Sequence, residues 1–507
     1  MKKMILAGCA LLIAFNGFAQ TKKRPNIIMI MSDDHAQNAI STFHKGLTET
    51  PNIDRIGKEG LVFKRSYCTN SICAPSRAVI ITGKFSHLNG HIDNNVRFDS
   101  SQQTFPKLLQ KAGYQTALVG KWHLVSEPTG FNYWTVVPGQ GQYYNPDFIK
   151  MDGKRERVEG YATNIITDKA LNWLDGRDTT QPFCLLLYNK APHRTWLPDT
   201  ADFDKFRGRK YPLPPNFYDN YEGRTAAGLQ EMTIANHMHL ASDLKVDTSS
   251  DPNRERPWQQ KVSGTERMNA QQKAAWDKEY NPIIAAFKRD KLTGKALAEW
   301  KYQRYMEDYM RCIASVDRNV GRVLDYLDQH GLAENTIVIY TSDQGFYMGE
   351  HGWYDKRFMY EESLVMPMVM RYPAGIKKKG EVKEMVQNID YAPTFLEYAG
   401  VKLPVDLQGR SMKPLMEGKK TAWRDAIYYH YYEFPGEHKV RRHYGVRTDR
   451  YKLIHFYNDI DKWELYDLQK DPTEMKNVYG DPAYKGIAVT LHQKLEALRK
   501  QYKDDSK

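Results

Sequence analysis

The sequence predicts an α/β protein with a large sheet flanked by helices. Four apolar, β-branched runs without polar alternation are typical of strands buried on both faces of a parallel sheet. These runs are residues 26–31, 116–119, 183–188 and 336–340. Helical patterns lie between them, including residues 105–111 before Gly113 and residues 316–330 before Gly331. This alternation of strands and helices favours helices on both faces of the sheet.

The composition is that of a globular protein. The chain has 507 residues, of which 41% are hydrophobic and 26% charged, and this balance excludes wholesale disorder. Five scattered cysteines are too few for a disulfide scaffold. A net charge of +12 favours an acidic partner, and 33 tyrosines suit a surface that packs against sugar rings, so an acidic glycan fits both properties. Because the sequence has no zinc finger, RNA-binding signature or long basic run, no nucleic-acid partner is expected.

The N-terminus has the pattern of a signal peptide, residues 1–19. Two lysines precede an apolar stretch at residues 4–15 that is too short to span a bilayer, and Ala19 ends a small-residue cleavage site. No later stretch has the length and apolarity of a transmembrane helix. The chain is therefore predicted to be exported, to the periplasm or the extracellular space. A Leu-Ala-Gly-Cys segment at residues 6–9 leaves a lipid-anchored form as the alternative.

Changes in composition along the rest of the chain suggest where its domains begin and end. We predict a main domain at residues 22–420, with a charged, proline-punctuated insertion at about 200–305. Residues 421–507 are predicted to form a smaller subdomain that contains both strands and helix. Its expected elements are two strands joined by a tight turn and a final helix, at residues 444–448, 451–455 and 487–501.

Carboxylates follow two of the predicted buried strands. Asp33 and Asp34 come after the first strand, and Asp343 and Gln344 come after the fourth. Each pair alone is typical of a turn or helix cap. Parallel strands, however, deliver their carboxyl ends to one edge of the sheet, where ligands bind. Three carboxylates there repel one another, and oxygen ligands select Ca²⁺ or Mg²⁺, so we predict a metal site.

A second reactive segment runs from Cys73 through Pro75 to Arg77. A lone cysteine is usually a buried structural thiol, and that interpretation stands as the alternative. Here the proline is suited to open a helix, so Cys73 lies at a positive helix N-terminus with Arg77 one turn further on. Such a place suits an anion or a developing oxyanion.

These motifs and their order resemble the formylglycine-dependent (type I, arylsulfatase-like) sulfatases. The Cys-x-Pro-Ser-Arg segment followed by Thr-Gly is that family's modification signature, and the resemblance spans residues 24–480. Further matching segments are residues 120–123, 191–193, 342–345, 349–352 with Lys356, and 464–468 with residues 471, 472 and 474. Gln344 departs from the asparagine of many members but keeps an amide oxygen. The resemblance implies an alkaline-phosphatase-like fold, with a large mixed sheet sandwiched by helices and a smaller C-terminal α+β subdomain.

The resemblance also implies the cofactor and the nucleophile. A maturation enzyme would convert Cys73 to formylglycine. A hydroxyl of the hydrated aldehyde would then attack sulfur and displace the sugar alcohol, which leaves a covalent sulfate ester on the enzyme. The other hydroxyl would then lose its proton, so that the aldehyde re-forms and sulfate leaves. One Ca²⁺ would be held by the converted side chain together with Asp33, Asp34, Asp343 and Gln344.

Roles for the remaining matched residues follow from the same resemblance. Lys121 and Lys356 would neutralise sulfate oxygens, and Arg77 would orient the hydrate. His123 is the expected base in sulfate release, and His193 the expected acid toward the departing oxygen. A solvated lysine or a non-catalytic histidine is the alternative for each.

Segments near the site are similar to those of the branch that includes N-acetylglucosamine-6-sulfatases. They are residues 129–134, 138–146, 343–349 and 356–362. The expected activity is therefore exo-removal of 6-O-sulfate from N-acetylglucosamine or glucosamine in a sulfated glycan. Two alternatives are a phosphodiesterase or phosphonate hydrolase of the same superfamily, and a non-catalytic glycan-binding protein on this scaffold. The basic and aromatic residues His430, Arg441, Arg442 and His443 are expected either to contact the sugar or to form a solvated loop.

Overall fold

A computed structural model describes residues 23–246 and 264–506, so the predicted signal peptide lies outside the described residues. Its strands are β1 (Asn26–Ser32), β2 (Leu61–Phe63), β3 (Ser66–Tyr67), β4 (Gln115–Lys121), β5 (Tyr133–Val137), β6 (Asp147–Lys150), β7 (Arg155–Arg157), β8 (Phe183–Tyr188), β9 (Thr336–Ser342), β10 (Tyr347–Met348), β11 (Tyr354–Asp355), β12 (Met368–Arg371), β13 (Gly380–Val382), β14 (Val386–Gln387), β15 (Ala426–Tyr431), β16 (His443–Thr448), β17 (Tyr451–Phe456) and β18 (Lys462–Asp467). Its α-helices are α1 (Pro51–Lys58), α2 (Cys73–Thr82), α3 (Ser86–Asn89), α4 (Phe105–Lys111), α5 (Ala162–Gly176), α6 (Thr225–Gly228), α7 (Ala270–Asp290), α8 (Gly294–Gln329), α9 (Glu361–Leu364), α10 (Tyr391–Tyr398), α11 (Lys413–Met416) and α12 (Lys485–Tyr502).

The main sheet is mixed and has a parallel centre. Ten of the described strands form it, in the order β13-β2-β12-β9-β1-β8-β4-β5-β6-β7. Strand β1 pairs in parallel with both β8 and β9, and β4 pairs in parallel with β8. Strand β12 runs antiparallel to β9. The four apolar runs are thus adjacent strands in one sheet, which confirms the predicted α/β class.

Helices cover both faces of this sheet. Side chains of β1 alternate between two buried cores, with Ile27 and Met29 on one face and Ile28 and Ile30 on the other. The first core includes residues of α2, α4 and α10, and the second includes residues of α1, α5 and α8. A strand that is buried on both faces carries no polar residues to alternate, which explains its continuous apolar sequence.

The long helix α8 corrects one prediction. A helix was expected over residues 316–330, but α8 has 36 residues and begins at Gly294, inside the predicted insertion. Its first half buries charged side chains in ion pairs, such as Arg304 with Asp308 at 2.7 Å. The charged residues conceal the helical period, because they occupy buried positions where a sequence pattern expects apolar ones. The insertion and the boundary at 420 stay predictions.

The C-terminal residues form a smaller unit of strands and helix, as predicted. Strands β15 to β18 make a four-stranded antiparallel sheet in sequence order, and helix α12 packs on it through Leu491 and Leu495. Strands β16 and β17 match the two predicted strands. Across the ranges that the structure describes, no helix combines the length and apolarity needed to cross a membrane.

Candidate active site

The acidic residues predicted to meet do so at the carboxyl ends of the central strands. Ser32 at the end of β1 lies opposite Ser342 at the end of β9, so the two following segments leave the sheet side by side. Asp33, Asp34 and Asp343 are fully buried, and carboxylate oxygens of the three lie within 4.8 Å of one another. The strand register therefore assembles this acidic cluster.

Lysine and amide side chains surround the cluster. Lys356 Nζ donates hydrogen bonds to both carboxylate oxygens of Asp34, at 2.7 and 2.8 Å. Lys121 Nζ donates to Asp33 Oδ2, and Gln344 Nε2 donates to Asp34 Oδ1 at 2.5 Å. The backbone N–H of Asp34 donates to Asp343 Oδ1 at 3.2 Å.

The donor set fits a hard divalent cation. Asp33 Oδ1 and Gln344 Oε1 are buried and have no hydrogen-bond partner among the described residues. Burial raises the pKa of Asp34 to about 7 and that of Asp343 to about 6, and neighbouring carboxylates add to both shifts. A bound cation would relieve this repulsion and accept the unpaired oxygens. Oxygen ligands of this kind select Ca²⁺ or Mg²⁺ over softer metals.

Cys73 is the first residue of α2 and faces the same cluster. The preceding residue, Ile72, is extended, so the helix begins at the cysteine, two residues before Pro75. The Cys73 Sγ atom lies within 4.8 Å of an Asp33 carboxylate oxygen and a His193 ring nitrogen. Burial and then the charge of Asp33 raise the pKa of the thiol well above its usual value. An unmodified Cys73 is therefore a protonated thiol and a poor nucleophile at neutral pH.

Arg77 connects the helix of Cys73 to the cluster. Its Nε and Nη2 atoms donate to Asp343 Oδ2 at 3.1 and 2.9 Å, and its Nη1 donates to the carbonyl of Lys121 at 2.6 Å. Gly120 precedes Lys121 with φ +110, and a Cβ there would lie 1.9 Å from the Tyr188 carbonyl oxygen, so only glycine fits. The side chain of Lys121 consequently enters the site from a strand end that approaches β8 closely.

The two predicted histidines flank the cluster. His193 Nδ1 lies 2.7 Å from the Arg194 carbonyl, which assigns the proton to Nδ1 and leaves Nε2 free, 3.7 Å from Asp34 Oδ2. His123 has a left-handed backbone with φ 61, and its Nδ1 has no partner among the described residues. Burial and then Lys121 hold the pKa of both imidazoles well below the usual value. Both rings are neutral in this arrangement.

A cavity of about 610 Å³ opens above Cys73 and includes His193 and Lys356 in its wall. Several charged residues in that wall were not predicted from the sequence; they are Lys190, Arg194, Asp355, Arg357, Glu433 and Glu437. Lys190, Arg194 and Asp355 lie next to matched residues, and Arg357 lies inside the matched segment 356–362. Proximity to the motifs along the chain could therefore have pointed to these four. The two glutamates come from the C-terminal part of the chain, where no motif pointed to them.

Of the four C-terminal residues expected to contact sugar or form a solvated loop, the two histidines do neither. His430 and His443 are buried, which excludes both expectations: His430 Nδ1 lies 2.6 Å from Asp504, and the Met359 N–H donates to His443 Nε2 at 3.0 Å. Arg441 pairs with Asp459 at 2.5 Å. Arg442 lines a depression next to the cavity.

The mixed sheet, with an oxygen-rich cluster and a helix N-terminus at its carboxyl edge, defines a hydrolase of the alkaline-phosphatase-like class. The chain belongs to the sulfatase family: the Sulfatase family model matches residues 25–401. A second model, N-sulphoglucosamine sulphohydrolase, C-terminal, matches residues 349–501. The predicted family and fold class are thereby confirmed.

Comparison with individual proteins refines the position within the family. The chain is 50% identical over 507 residues to an N-acetylglucosamine-6-O-sulfatase of Bacteroides thetaiotaomicron, covering 99% of this chain and 90% of that protein. It is also 50% identical, with a TM-score of 0.91 and coverage of 96% and 99%, to a structure solved with its substrate D-glucosamine-2-N,6-O-disulfate. A phosphonate monoester hydrolase of Agrobacterium radiobacter shares the fold at 19% identity, with a TM-score of 0.67 and coverage of 94% and 96%.

Proposed function

We propose that this sulfatase removes the 6-O-sulfate from N-acetylglucosamine or glucosamine in a sulfated glycan, acting from the chain end. The observation that carries the proposal is the position of Cys73: it lines the cavity, and its Sγ lies within 4.8 Å of both an Asp33 carboxylate oxygen and a His193 ring nitrogen. The identity of 50% over nearly the whole chain to an N-acetylglucosamine-6-O-sulfatase supports the sugar and the position.

The proposed cation is one Ca²⁺, held by Asp33, Asp34, Asp343, Gln344 and the converted Cys73. The unpaired oxygens of Asp33 and Gln344 support this ligand set. When bound, the ion supplies positive charge beside the sulfate oxygens. Lys121 and Lys356, whose ammonium groups already contact the cluster, add charge on the same side and stabilise the transition state.

The proposed nucleophile is the hydrated aldehyde of formylglycine at position 73, which requires a maturation enzyme as a partner. The raised pKa of the unmodified thiol supports a chemical conversion, because a buried protonated thiol has little reactivity of its own. Arg77 keeps α2 in place through Asp343, and so orients the nucleophile at the helix N-terminus.

His193 is the proposed acid and His123 the proposed base. His193 places Nε2 at the cavity wall, and its Nδ1 contact fixes the ring orientation. Because the neutral ring carries its proton on Nδ1, Nε2 first takes up a proton when the anionic substrate is bound and then donates it to the departing sugar oxygen. His123 lies two residues beyond the end of β4 and accepts the proton of the nucleophile's second oxygen as sulfate is released. We further propose export through the signal peptide at residues 1–19, to the periplasm or the extracellular space.

The test is release of free sulfate from positional isomers. The panel contains N-acetylglucosamine 6-sulfate and 3-sulfate, galactose and N-acetylgalactosamine sulfates, and one aryl phosphodiester. Cys73→Ala is the inactive variant, and Cys68→Ala is its matched control, since Cys68 is equally buried but hydrogen bonds to Ser71 outside the cavity. We expect sulfate from the 6-sulfate alone, with Cys68→Ala active and Cys73→Ala silent.

Other outcomes of this panel have defined meanings. Sulfate release from a different isomer would keep the mechanism and reject the sugar assignment. Cleavage of the phosphodiester without any sulfate release would favour the phosphodiesterase alternative. Binding of the 6-sulfate without turnover, in protein whose Cys73 peptide carries the aldehyde mass, would favour a glycan-binding protein.

A further inference from the structure

Next to the active-site cavity lies a second depression, of about 380 Å³. We propose that it binds the adjoining sugar of the glycan, and that Arg442 binds an anionic substituent of that sugar. This inference extends the proposed function from a single sugar to two. Asn95, Glu433 and Gly436 line both the cavity and the depression. The two spaces therefore adjoin, so a glycan longer than one sugar can extend from the cavity into the depression.

Aromatic rings form part of the wall of the depression. Tyr432, Phe434 and Tyr457 line it. The Tyr432 hydroxyl lies 3.2 Å from His87 Nδ1, and the Tyr457 hydroxyl lies 2.8 Å from His430 Nε2, so the hydroxyls hold both rings in place. Tyr457 is buried, and one face of Tyr432 stacks on His430 with ring centroids 3.7 Å apart. The half-buried Tyr432 and Phe434 therefore provide the apolar contact area that remains for the C–H groups of a sugar ring.

Arg442 brings an uncompensated positive charge to this depression. Its Nε donates to the Tyr432 carbonyl at 2.7 Å and its Nη2 donates to the Phe434 carbonyl at 3.1 Å. Within residues 23–246 and 264–506, no carboxylate forms an ion pair with it. The adjacent Arg441 differs, because it is paired with Asp459 at 2.5 Å. A guanidinium that is fixed by two carbonyls and lacks an acidic partner is preorganised for an anion.

The acidic residues of the depression are already engaged. Glu433 Oε2 accepts hydrogen bonds from Arg357 at 2.5 Å and from Tyr431 at 3.2 Å. Asp93 Oδ1 accepts from the backbone N–H groups of Asn95 and Val96 at 2.8 and 3.0 Å. Glu433 is thus neutralised by Arg357, whereas Asp93 and Arg442 have only backbone partners among the described residues, and the proposed anion binds at the guanidinium of Arg442. Either the carboxylate of a uronic acid or a sulfate ester on the adjoining sugar has the required chemistry.

The test compares four substrates that all carry the 6-sulfated N-acetylglucosamine. They are the monosaccharide and its disaccharides with galactose, galactose 6-sulfate and glucuronic acid. In Arg442→Gln we expect kcat/KM on an acidic disaccharide to fall about tenfold more than on the monosaccharide, the effect of losing one charge-assisted contact. The acidic disaccharide that responds identifies the anion as carboxylate or sulfate. Arg441→Gln is the matched control and is expected to change all four rates equally.

A structural role for Arg442 gives a different result. If it only supports the loop at residues 432–436, Arg442→Gln lowers the rates on all four substrates by the same factor, and this outcome overturns the proposal. A second variant leaves the loop intact: Asn458→Asp adds a negative charge to the depression at an exposed residue with φ 68, which aspartate tolerates. We expect it to weaken the acidic disaccharides selectively, by about threefold; no selectivity in either variant also overturns the proposal.

Binding to inactive protein separates this inference from the proposed function. The Kd of the acidic disaccharides is measured for Cys73→Ala with and without Arg442→Gln, and about a tenfold difference is expected. If the wild-type protein released no sulfate but this difference persisted, the proposed activity would fail and the sugar site would stand. Equal Kd values in the two proteins would reject the sugar site alone.

Discussion

Arg77 and Asp343 form a buried ion pair that joins helix α2 to the end of strand β9. Two guanidinium nitrogens of Arg77 donate to the same carboxylate oxygen, at 2.9 and 3.1 Å. A third donates to the carbonyl of Lys121 at the end of β4. One side chain thus connects the helix that begins at Cys73, the acidic cluster and the strand end that carries Lys121. Because all of these groups are buried, their relative positions are fixed before any substrate binds.

Asp343→Asn tests the link between this pair and the metal. The variant removes a proposed Ca²⁺ ligand and half of the buried ion pair, so we expect loss of bound Ca²⁺ together with activity. The free energy of unfolding should fall by about 3 kcal/mol, the lower end for a broken buried pair, because Asp33 lies 3.8 Å from Arg77 and partly compensates its charge. Elemental analysis and chemical denaturation check both parts. Full metal occupancy in this variant would place the ligand set elsewhere.

Cys73→Ala separates chemistry from folding. The substitution removes the thiol that the conversion to formylglycine requires, so the proposed nucleophile cannot form and no turnover is expected. The side chain is small, and its loss should cost no more than about 2 kcal/mol of stability. Sulfate release, thermal unfolding and the mass of the peptide that bears residue 73 are the measurements. A near wild-type rate in this variant would contradict the nucleophile assignment.

His193→Gln tests the proposed acid through the leaving group. A sugar alcohol leaves poorly without a proton, so kcat on the 6-sulfated sugar should fall by about 10²- to 10⁴-fold. An aryl sulfate has a good leaving group and should lose far less. His455→Gln, at a histidine in the C-terminal sheet that contacts Tyr444 and Asp461, serves as the control. Equal losses on the two substrates would argue that His193 acts in binding instead.

The raised pKa of Glu464 predicts that the free energy of unfolding depends on pH for a reason unrelated to the active site. Burial raises the pKa of this carboxyl to about 7, although hydroxyls of Tyr466 and Tyr360 donate to it at 2.7 and 2.8 Å. The folded-state pKa lies above the unfolded value, so the contribution of Glu464 to stability falls as the pH rises from about 4.5 through 7. Glu464→Gln cannot ionise. It should therefore be more stable than wild type by up to about 3 kcal/mol at pH 8.

The comparison that checks this prediction is chemical denaturation of both proteins at pH 4.5 and pH 8. The advantage of Glu464→Gln should be present at pH 8 and absent at pH 4.5, where the wild-type side chain is protonated. An equal difference at the two pH values would mean that Glu464 keeps an ordinary pKa in the folded protein.

Much of the fold could be predicted from local sequence patterns. The central strands were predictable because burial on both faces demands continuous apolar residues, as in β1 and β8. Helix α8 was predicted only in its second half, since Arg304 and Arg311 occupy buried positions and are stabilised by ion pairs with Asp308 and Glu279. Such pairings depend on contacts that no periodic pattern contains.

The sequence by itself determined the family, the order of the motifs and the residues that meet at the carboxyl edge of the sheet. It did so because reactive residues directly follow buried strands, and parallel strands end at the same edge. Only the tertiary structure decided how those residues contact one another, and which residues far along the chain line the cavity, such as Glu433 and Arg442. It also excluded His430 and His443 from the surface. These positions depend on how the C-terminal sheet packs against the main domain, and long-range packing leaves no signature in the local sequence.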